Sequence, residues 1–410
     1  MLLGGLTRDR DFLKLWSGQA ISKIGSTITS FGLPLTAASL LGASPLQMGI
    51  LAGSSGIGVL VFGLFAGAWA DRLRRRPILI AADLARAALL ATIPLAAALH
   101  RLNMAHLYAV ATLAGILTVL FDVSYQAYVP SLVNRDNLVE ANSKLALTES
   151  IADVTGPALT GLLIQLITAP IAILLDALSF VCSAISVWLI RLPEPLPAAG
   201  LAPHIGREIA EGGAASWRNP LLRALLQRAA TGPFFLGFIG GLYFLFAVRE
   251  LHITALLLGI VISVGGASNL IGALLAERLL QRLGLGRTLI GAAWMSVLSM
   301  LMVPLAHGPV ALCTVFLIAS QLGDMAWPVF LINETSLRQA ATPNHLLGRV
   351  NSASHLLFHA ALALGAFAGG AIAQTIGIRQ TMLIGVLGYL LSTVWLTFSP
   401  IRHLRQLPVA

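Results

Sequence analysis

The feature that most constrains this chain is a succession of apolar stretches, each matching or exceeding the roughly 20 residues an α-helix needs to cross a bilayer. Twelve occur, at 12–40, 46–70, 77–99, 104–133, 137–167, 169–190, 220–248, 254–280, 287–306, 309–336, 344–376 and 379–399. Hydrocarbon offers the backbone no water, so each stretch is expected to satisfy its own N–H and C=O groups as a helix. Composition agrees, with 57% of residues hydrophobic and 10% charged, against roughly 25% charged in an average globular chain. A mean hydropathy of +0.85 excludes disorder, and a water-soluble core that apolar would lack the charges to cover it. The expected fold class is an all-α integral membrane protein with twelve transmembrane helices. The two cysteines, Cys182 and Cys313, fall inside apolar runs and read as buried packing, not as a disulfide framework.

The net charge of +9 would suggest nucleic acid in a soluble chain, but the placement of the charges decides otherwise. All but five of the 26 Lys and Arg fall on one alternate set of connections and the ends of the stretches beside it. The other set holds Arg101, Arg249 and Arg379, while Lys23 and Arg86 lie within stretches. The positive-inside rule then puts both termini in the cytoplasm and supports an even number of crossings. The basic charge is an orientation signal, and nucleic acid is not an expected partner. The first apolar run is about twice the length of a signal-peptide core, so it is expected to stay as the first helix.

The longest hydrophilic stretch, 191–219, starts with Pro193, Pro195, Pro197 and Pro203 and divides the chain into halves at 1–190 and 220–410. Within it, Ile205 to Trp217 reads either as a short amphipathic helix on the cytoplasmic membrane face or as a solvated linker. The halves look like copies. A shift of 209 residues lays Asn142-Ser143 on Asn351-Ser352, Gly161 on Gly370 and Gln165 on Gln374. Two pseudo-symmetric six-helix bundles in parallel repeat are the simplest account.

Between the second and third stretches runs Gly67-Ala68-Trp69-Ala70-Asp71-Arg72-Leu73-Arg74-Arg75-Arg76. It resembles the G-x-x-x-D-R-x-x-R-R loop signature of the major facilitator superfamily. In the fifth stretch, Gly156-Pro157-Ala158-Leu159-Thr160-Gly161 resembles the Gly-Pro-x-x-Gly-Gly element of its antiporter branches, with Thr160 in place of one glycine. Asp83-Leu84-Ala85-Arg86, Phe121-Asp122, Leu138 to Ser143, Asp176 to Phe180 and Trp217 to Arg223 are similar to the branch of macrolide-efflux and enterobactin exporters. The Arg-containing fourth-span signature of many proton antiporters is not seen. The resemblance implies the twelve-helix fold of that superfamily, with the first, fourth, seventh and tenth helices on a central cavity. It also implies a conformational latch at Gly67, Asp71, Arg72, Arg75 and Arg76. There an Asp accepts hydrogen bonds from the N-terminal amides of a neighbouring helix while the arginines hold the loop at the cytoplasmic face.

An ionisable group inside a span is costly unless paired, so each such group is a functional candidate. Asp83 and Arg86, three apart on one helix, read as an ion pair within reach of Asp122, and Asp176 as a structural hydrogen-bonding group. Glu149 and Asp153 stand at i, i+4 on the fifth helix, a turn before Gly156-Pro157. Either one of this pair exchanges a proton, or Lys23 or Arg86 neutralises it in a static network. Asp122, beside Tyr125 and Gln126, and Asp324, the mid-span acid of the second half, are further proton-coupling candidates. Phe234, Phe235, Phe238, Tyr243, Phe244 and Phe246 read either as a greasy pocket or as a lipid-facing stripe.

No G-x-x-x-x-G-K-[ST] loop, nucleophile elbow or Cys/His metal cluster occurs; His355 and His359 lack a carboxylate or thiol close in sequence. No cofactor, metal or catalytic residue is therefore expected. The expectation is a monomeric secondary transporter of the bacterial inner membrane, surrounded by lipid, exporting a small amphipathic or hydrophobic compound in exchange for protons. Alternatives are a dedicated exporter of an endogenous metabolite such as a siderophore, a proton symporter and a non-transporting scaffold.

Overall fold

The computed structural model describes residues 6, 9–54, 56, 58, 73–192, 194 and 205–408. The chain divides into two compact units: Met1–Ala43 with Ser54–Pro203 and Thr254–Ser263, and Ser44–Gly53 with His204–Ile253 and Val264–Ala410. In chain order the helices are α1 (Arg10–Leu35), α2 (from residue 45 on), α3 (Arg75–Ala98), α4 (Met104–Leu132), α5 (Leu138–Ile167), α6 (Ala169–Trp188) and α7 (Ile205–Arg218). They continue with α8 (Pro220–Gly240), α9 (Tyr243–Arg249), α10 (Ala255–Leu283), α11 (Leu285–Met300), α12 (Met302–Leu305), α13 (Val310–Gly323), α14 (Ala326–Ala340), α15 (Leu347–Ile376) and α16 (Ile378–Thr397). Among the described residues, ten helical segments are long and apolar enough to cross a membrane. Of the two other expected stretches, α1 is long enough but carries Gln19, Ser22, Lys23, Ser26 and Thr29, and 46–70 runs beyond the described residues.

On the membrane helices the polar groups turn inward and apolar side chains cover the outside, which is how a bilayer sorts side chains when the solvent itself is hydrocarbon. On α6, Asp176, Ser179 and Ser183 are buried while Leu174, Leu178 and Ile185 are exposed. On α16, Thr381, Ser392 and Thr393 are buried while Leu387 and Leu391 are exposed. The same sorting corrects the expectation for Cys182, which is exposed on α6, whereas Cys313 is buried. An apolar run in a membrane helix has a lipid face as well as a core face, and hydropathy does not distinguish them.

Three expected spans are broken. The seventh parts into α8 and α9 at Gly240-Gly241, glycines being poor helix formers. The ninth parts at Leu301, where Pro304 offers no N–H to Met300. The tenth parts at Asp324-Met325.

Each unit packs on its own terms. In the first, α1 lies against α5 and α6, and α3 against α4 and α6, around Phe12, Leu15, Leu79, Phe121, Tyr128 and Ile190. In the second, α8 lies against α15 and α16, and α11 against α14 and α16, around Leu225, Leu285, Leu289, Phe330, Leu337 and Leu396. The aromatic run of α8 is part of this packing. Phe234, Phe235 and Phe238 stack edge to tilted with centroids 5.2–5.6 Å apart and fill space left by Gly369 and Gly388 of α15 and α16.

Side chains close the Arg-rich end of the first unit. Asp9 Oδ1 accepts the amides of Asp11 and Phe12 at 3.0 and 3.1 Å and caps α1. Glu194 accepts the amides of Arg75 and Arg76 at 2.6 and 3.1 Å, a carboxylate on the positive end of α3. Arg76 in turn donates to the carbonyls of Val187 and Trp188 at the end of α6, at 3.2 and 2.6 Å. In the second unit, the stretch that read as either helix or linker is the helix α7, docked on α15. A Cβ at Gly212 would collide with the Arg349 carbonyl, and Glu211 pairs with Arg349 at 2.6 Å.

The duplication is visible in the backbone. α5 and α15 are both 30 residues long and α6 and α16 both 20, each pair offset by the same 209 positions. The turns repeat too: Thr168 between α5 and α6 has φ +77° and ψ 155°, and Gly377 between α15 and α16 has φ +92° and ψ 161°. Only glycine adopts that region freely, so Thr168 holds strain that packing of the flanking helices sustains. Thr168→Gly is expected to stabilise the protein by about 1 kcal/mol and Gly377→Thr to destabilise it by at least as much. Apparent melting temperatures in detergent measure both.

Candidate functional site

In the first unit the site is built on α1, α4 and α5. Lys23 of α1 and Glu149 of α5 form an ion pair with Nζ–Oε1 at 2.6 Å, and both side chains are about half exposed, at 48% and 56%. Asp153, one turn along α5, and Asp122 of α4 act on the same ammonium through space. Lys23 therefore pairs with one carboxylate and feels two more, of which Asp122 also feels Arg86 of α3, on helices held in place by contacts close to them. A Cβ at Gly156 would come within 2.6 Å of Thr27 Oγ1, so α1 and α5 meet where Gly156 leaves room. Thr160, the residue that departs from the antiporter element, is buried and lies 3.4 Å from the Thr27 hydroxyl. On its other side α5 meets the start of α10. A Cβ at Gly161 would strike the Ala255 carbonyl, and the Ala158 amide next to Pro157 donates to Ser263 Oγ at 3.0 Å.

Arg86 and Asp83 of α3 form a buried pair close to this cluster, 5% and 0% exposed. The guanidinium lies between the rings of Phe121 and Phe180, 4.4 and 4.1 Å from their centroids. Asp176 is also fully buried and accepts from Thr29 Oγ1 and, at 3.0 Å, Ser179 Oγ. Of the loop motif, Arg76 holds the end of α6 and the amides of Arg75 and Arg76 are capped by Glu194, while Gly67, Asp71 and Arg72 lie outside the described residues.

In the second unit Asp324 lies at the break between α13 and α14. Its Oδ2 and Gln321 Oε1 both close over Gly265 of α10. A different group of charges surrounds a cavity of about 250 Å³ between α8, α14, α15 and α16. Arg228, Glu334, Arg338, His355 and His359 line it with Trp327, Phe330, Phe358 and Tyr389. Sequence reasoning assigned Arg228 and Arg338 to the connecting regions, yet Arg228 is a mid-helix residue of α8 and only 6% exposed. The i, i+4 spacing of Glu334 and Arg338, which pair at 2.7 Å, was the signal that could have found the group. Among the described residues no group of three or more His, Cys, Asp or Glu is placed to hold a metal ion.

A duplicated bundle with apolar outer faces and charges gathered inside is that of a multi-pass membrane transporter, and solved structures share its fold. A bacterial homologue of the iron transporter ferroportin, in an inward-facing state, superposes with a TM-score of 0.76 at 20% identity, covering 95% of this chain and 98% of that one. A point mutant of the nucleoside transporter NupG gives 0.76 at 12% identity over 95% and 98%. Residues 6–408 match the family described as transmembrane secretion effector, and the chain belongs to this family of the major facilitator superfamily. Among its relatives, macrolide efflux protein A of Streptococcus pyogenes is 26% identical over 97% of both chains. Multidrug efflux pump Tap of Mycolicibacterium fortuitum is 27% identical over 90% of both.

Two ion pairs of the first unit, Asp83–Arg86 and Lys23–Glu149, should respond differently to loss of one partner. Asp83→Asn leaves a buried guanidinium without its counter-charge and is expected to cost about 3–5 kcal/mol. Glu149→Gln, at a half-exposed pair, is expected to cost within about 1 kcal/mol. Thermal unfolding of the purified variants in detergent gives the order directly.

Proposed function

We propose that this transporter exports small amphipathic or hydrophobic compounds from the cytoplasm in exchange for protons, by alternating access. The observation that carries the coupling is the ammonium of Lys23, paired with Glu149 and under the influence of Asp153 and Asp122. With Arg86 taken up by Asp83, Glu149, Asp153 and Asp122 outnumber the cation left to them, and keeping all three ionised on membrane helices is costly, so the cluster is suited to take up and give back a proton. Cargo or conformational change that moves Lys23 from Glu149 changes which carboxylate keeps its proton. The efflux names of the relatives support the direction and the cargo class. The excess of Lys and Arg on alternate connections supports an inner-membrane protein of bacteria with both termini in the cytoplasm. It works as a monomer in contact with lipid, and it transports its substrate without chemical change.

Proteoliposomes loaded with a pH-sensitive dye test this reading. Addition of dyes, macrolides or other amphipathic compounds should drive proton movement that depends on cargo. Glu149→Gln, Asp153→Asn or Asp122→Asn should lower that flux by about 10²-fold, the contribution typical of a positioned proton-transfer group, while cargo binding persists. Flux equal to wild type in all three variants would rule the cluster out as the coupling site, and absence of flux with every compound would rule out antiport.

A further inference from the structure

The cavity of the second unit has an unbalanced charge. Arg228 donates from Nη1 to Ser392 Oγ at 2.9 Å and from Nη2 to Tyr389 Oη at 3.2 Å. Its guanidinium lies 4.1 Å from the ring centroid of Phe330 and 5.3 Å from that of Tyr389. None of these partners is an anion, and among the described residues no carboxylate lies within the 4.0 Å of an ion pair with Arg228. Arg86 in the first unit sits between two rings in the same way but has Asp83 beside it. A buried cation without a counter-charge is costly, and aromatic faces and neutral hydroxyls offset only part of that cost.

The carboxylate nearest in influence, Glu334, is already engaged. It pairs with Arg338 Nη1 at 2.7 Å, and Arg338 Nε donates to Asn351 Oδ1 at 2.8 Å. The cavity thus holds two guanidiniums against one carboxylate, with Arg228 as the surplus. Ser392 and Tyr389 occupy two of its five N–H groups, and donors remain for an acceptor inside the cavity. Trp327, Phe330, Phe358, Leu225 and Leu236 give the cavity an apolar surface, beside which lie Ser354, His355 and His359. At about 250 Å³ the space is just below the roughly 300–1,000 Å³ usual for ligand pockets, which suits a molecule of one or two rings.

We propose that this cavity binds an aromatic carboxylic acid, its rings against Trp327, Phe330 and Phe358 and its carboxylate on the Arg228 guanidinium. The inference rests on the export reading and deepens it, by assigning the transporter a cargo class that is anionic. A guanidinium–carboxylate contact is charge-assisted and bidentate in its best geometry, so the acid should bind far better than its neutral or cationic analogues.

The test uses purified full-length protein in detergent and radiolabelled 1-naphthaleneacetic acid, displaced by unlabelled acid, by 1-naphthaleneacetamide or by 1-naphthylmethylamine. The acid should displace label at a concentration lower by about tenfold or more than either analogue. Arg228→Gln should abolish that preference, and Arg228→Lys, which keeps the charge but not the fork of donors, should retain part of it. Phe358→Ala should weaken the acid and the amide alike, so the cavity is probed even if Arg228→Gln fails to fold. Equal displacement by the three compounds, preference for the amine, acid preference surviving in Arg228→Gln, or Phe358→Ala binding like wild type would each overturn the proposal. The assay involves no gradient. Acid binding without flux in proteoliposomes would sink the export reading alone, and flux without acid preference would sink this inference alone.

Discussion

A charge carried into hydrocarbon must find its compensation inside the protein, and the arrangement of this molecule follows from how each charge meets that demand. Asp83 and Arg86 meet it with each other, as a buried pair whose guanidinium lies against two aromatic rings. Lys23 meets it with more anions than it needs, the surplus being on the carboxylate side. Arg228 meets it with rings and hydroxyls, the surplus being on the cation side. A structural ion pair needs balance; a group that must pick something up needs the lack of it. The first imbalance suits a proton and the second an organic anion, and each lies within one unit of the duplicated fold.

Hydropathy made the fold class and the spans legible because a bilayer imposes a length and a polarity on every crossing. The repeat was legible for a related reason: α5 with α6 and α15 with α16 keep identical lengths at one offset, so small residues such as Gly161 and Gly370 stay in register. What averaging over 20 residues hides is a local break. Gly240-Gly241 and Asp324-Met325 interrupt helices whose flanks are apolar enough to read as continuous.

The candidate site was legible only along single helices. The i, i+4 spacing of Glu149 and Asp153 placed them on one face, but which of Lys23 and Arg86 would reach them depends on how α1, α3 and α5 cross. The structure gives Glu149 to Lys23 and Asp83 to Arg86. Arg228 was misread because a cation near a span end looks like a loop charge, and burial by Phe330 and Tyr389 is a tertiary fact. Glu194 was missed because a carboxylate among prolines gives no sign that it will cap a helix more than a hundred residues earlier.

The turns that join the paired helices carry a consequence for how such proteins diverge. Thr168 and Gly377 hold nearly the same dihedral angles. His100 and Gly308 share the positive-φ region, as do Gly42 and His252 with the residue types reversed. In each pair one copy kept glycine and the other did not, yet the chain turns with the same hand. Side-chain identity differs at these positions while the sign of φ is the same, so the repeat is written there in a torsion angle as well as in the letters.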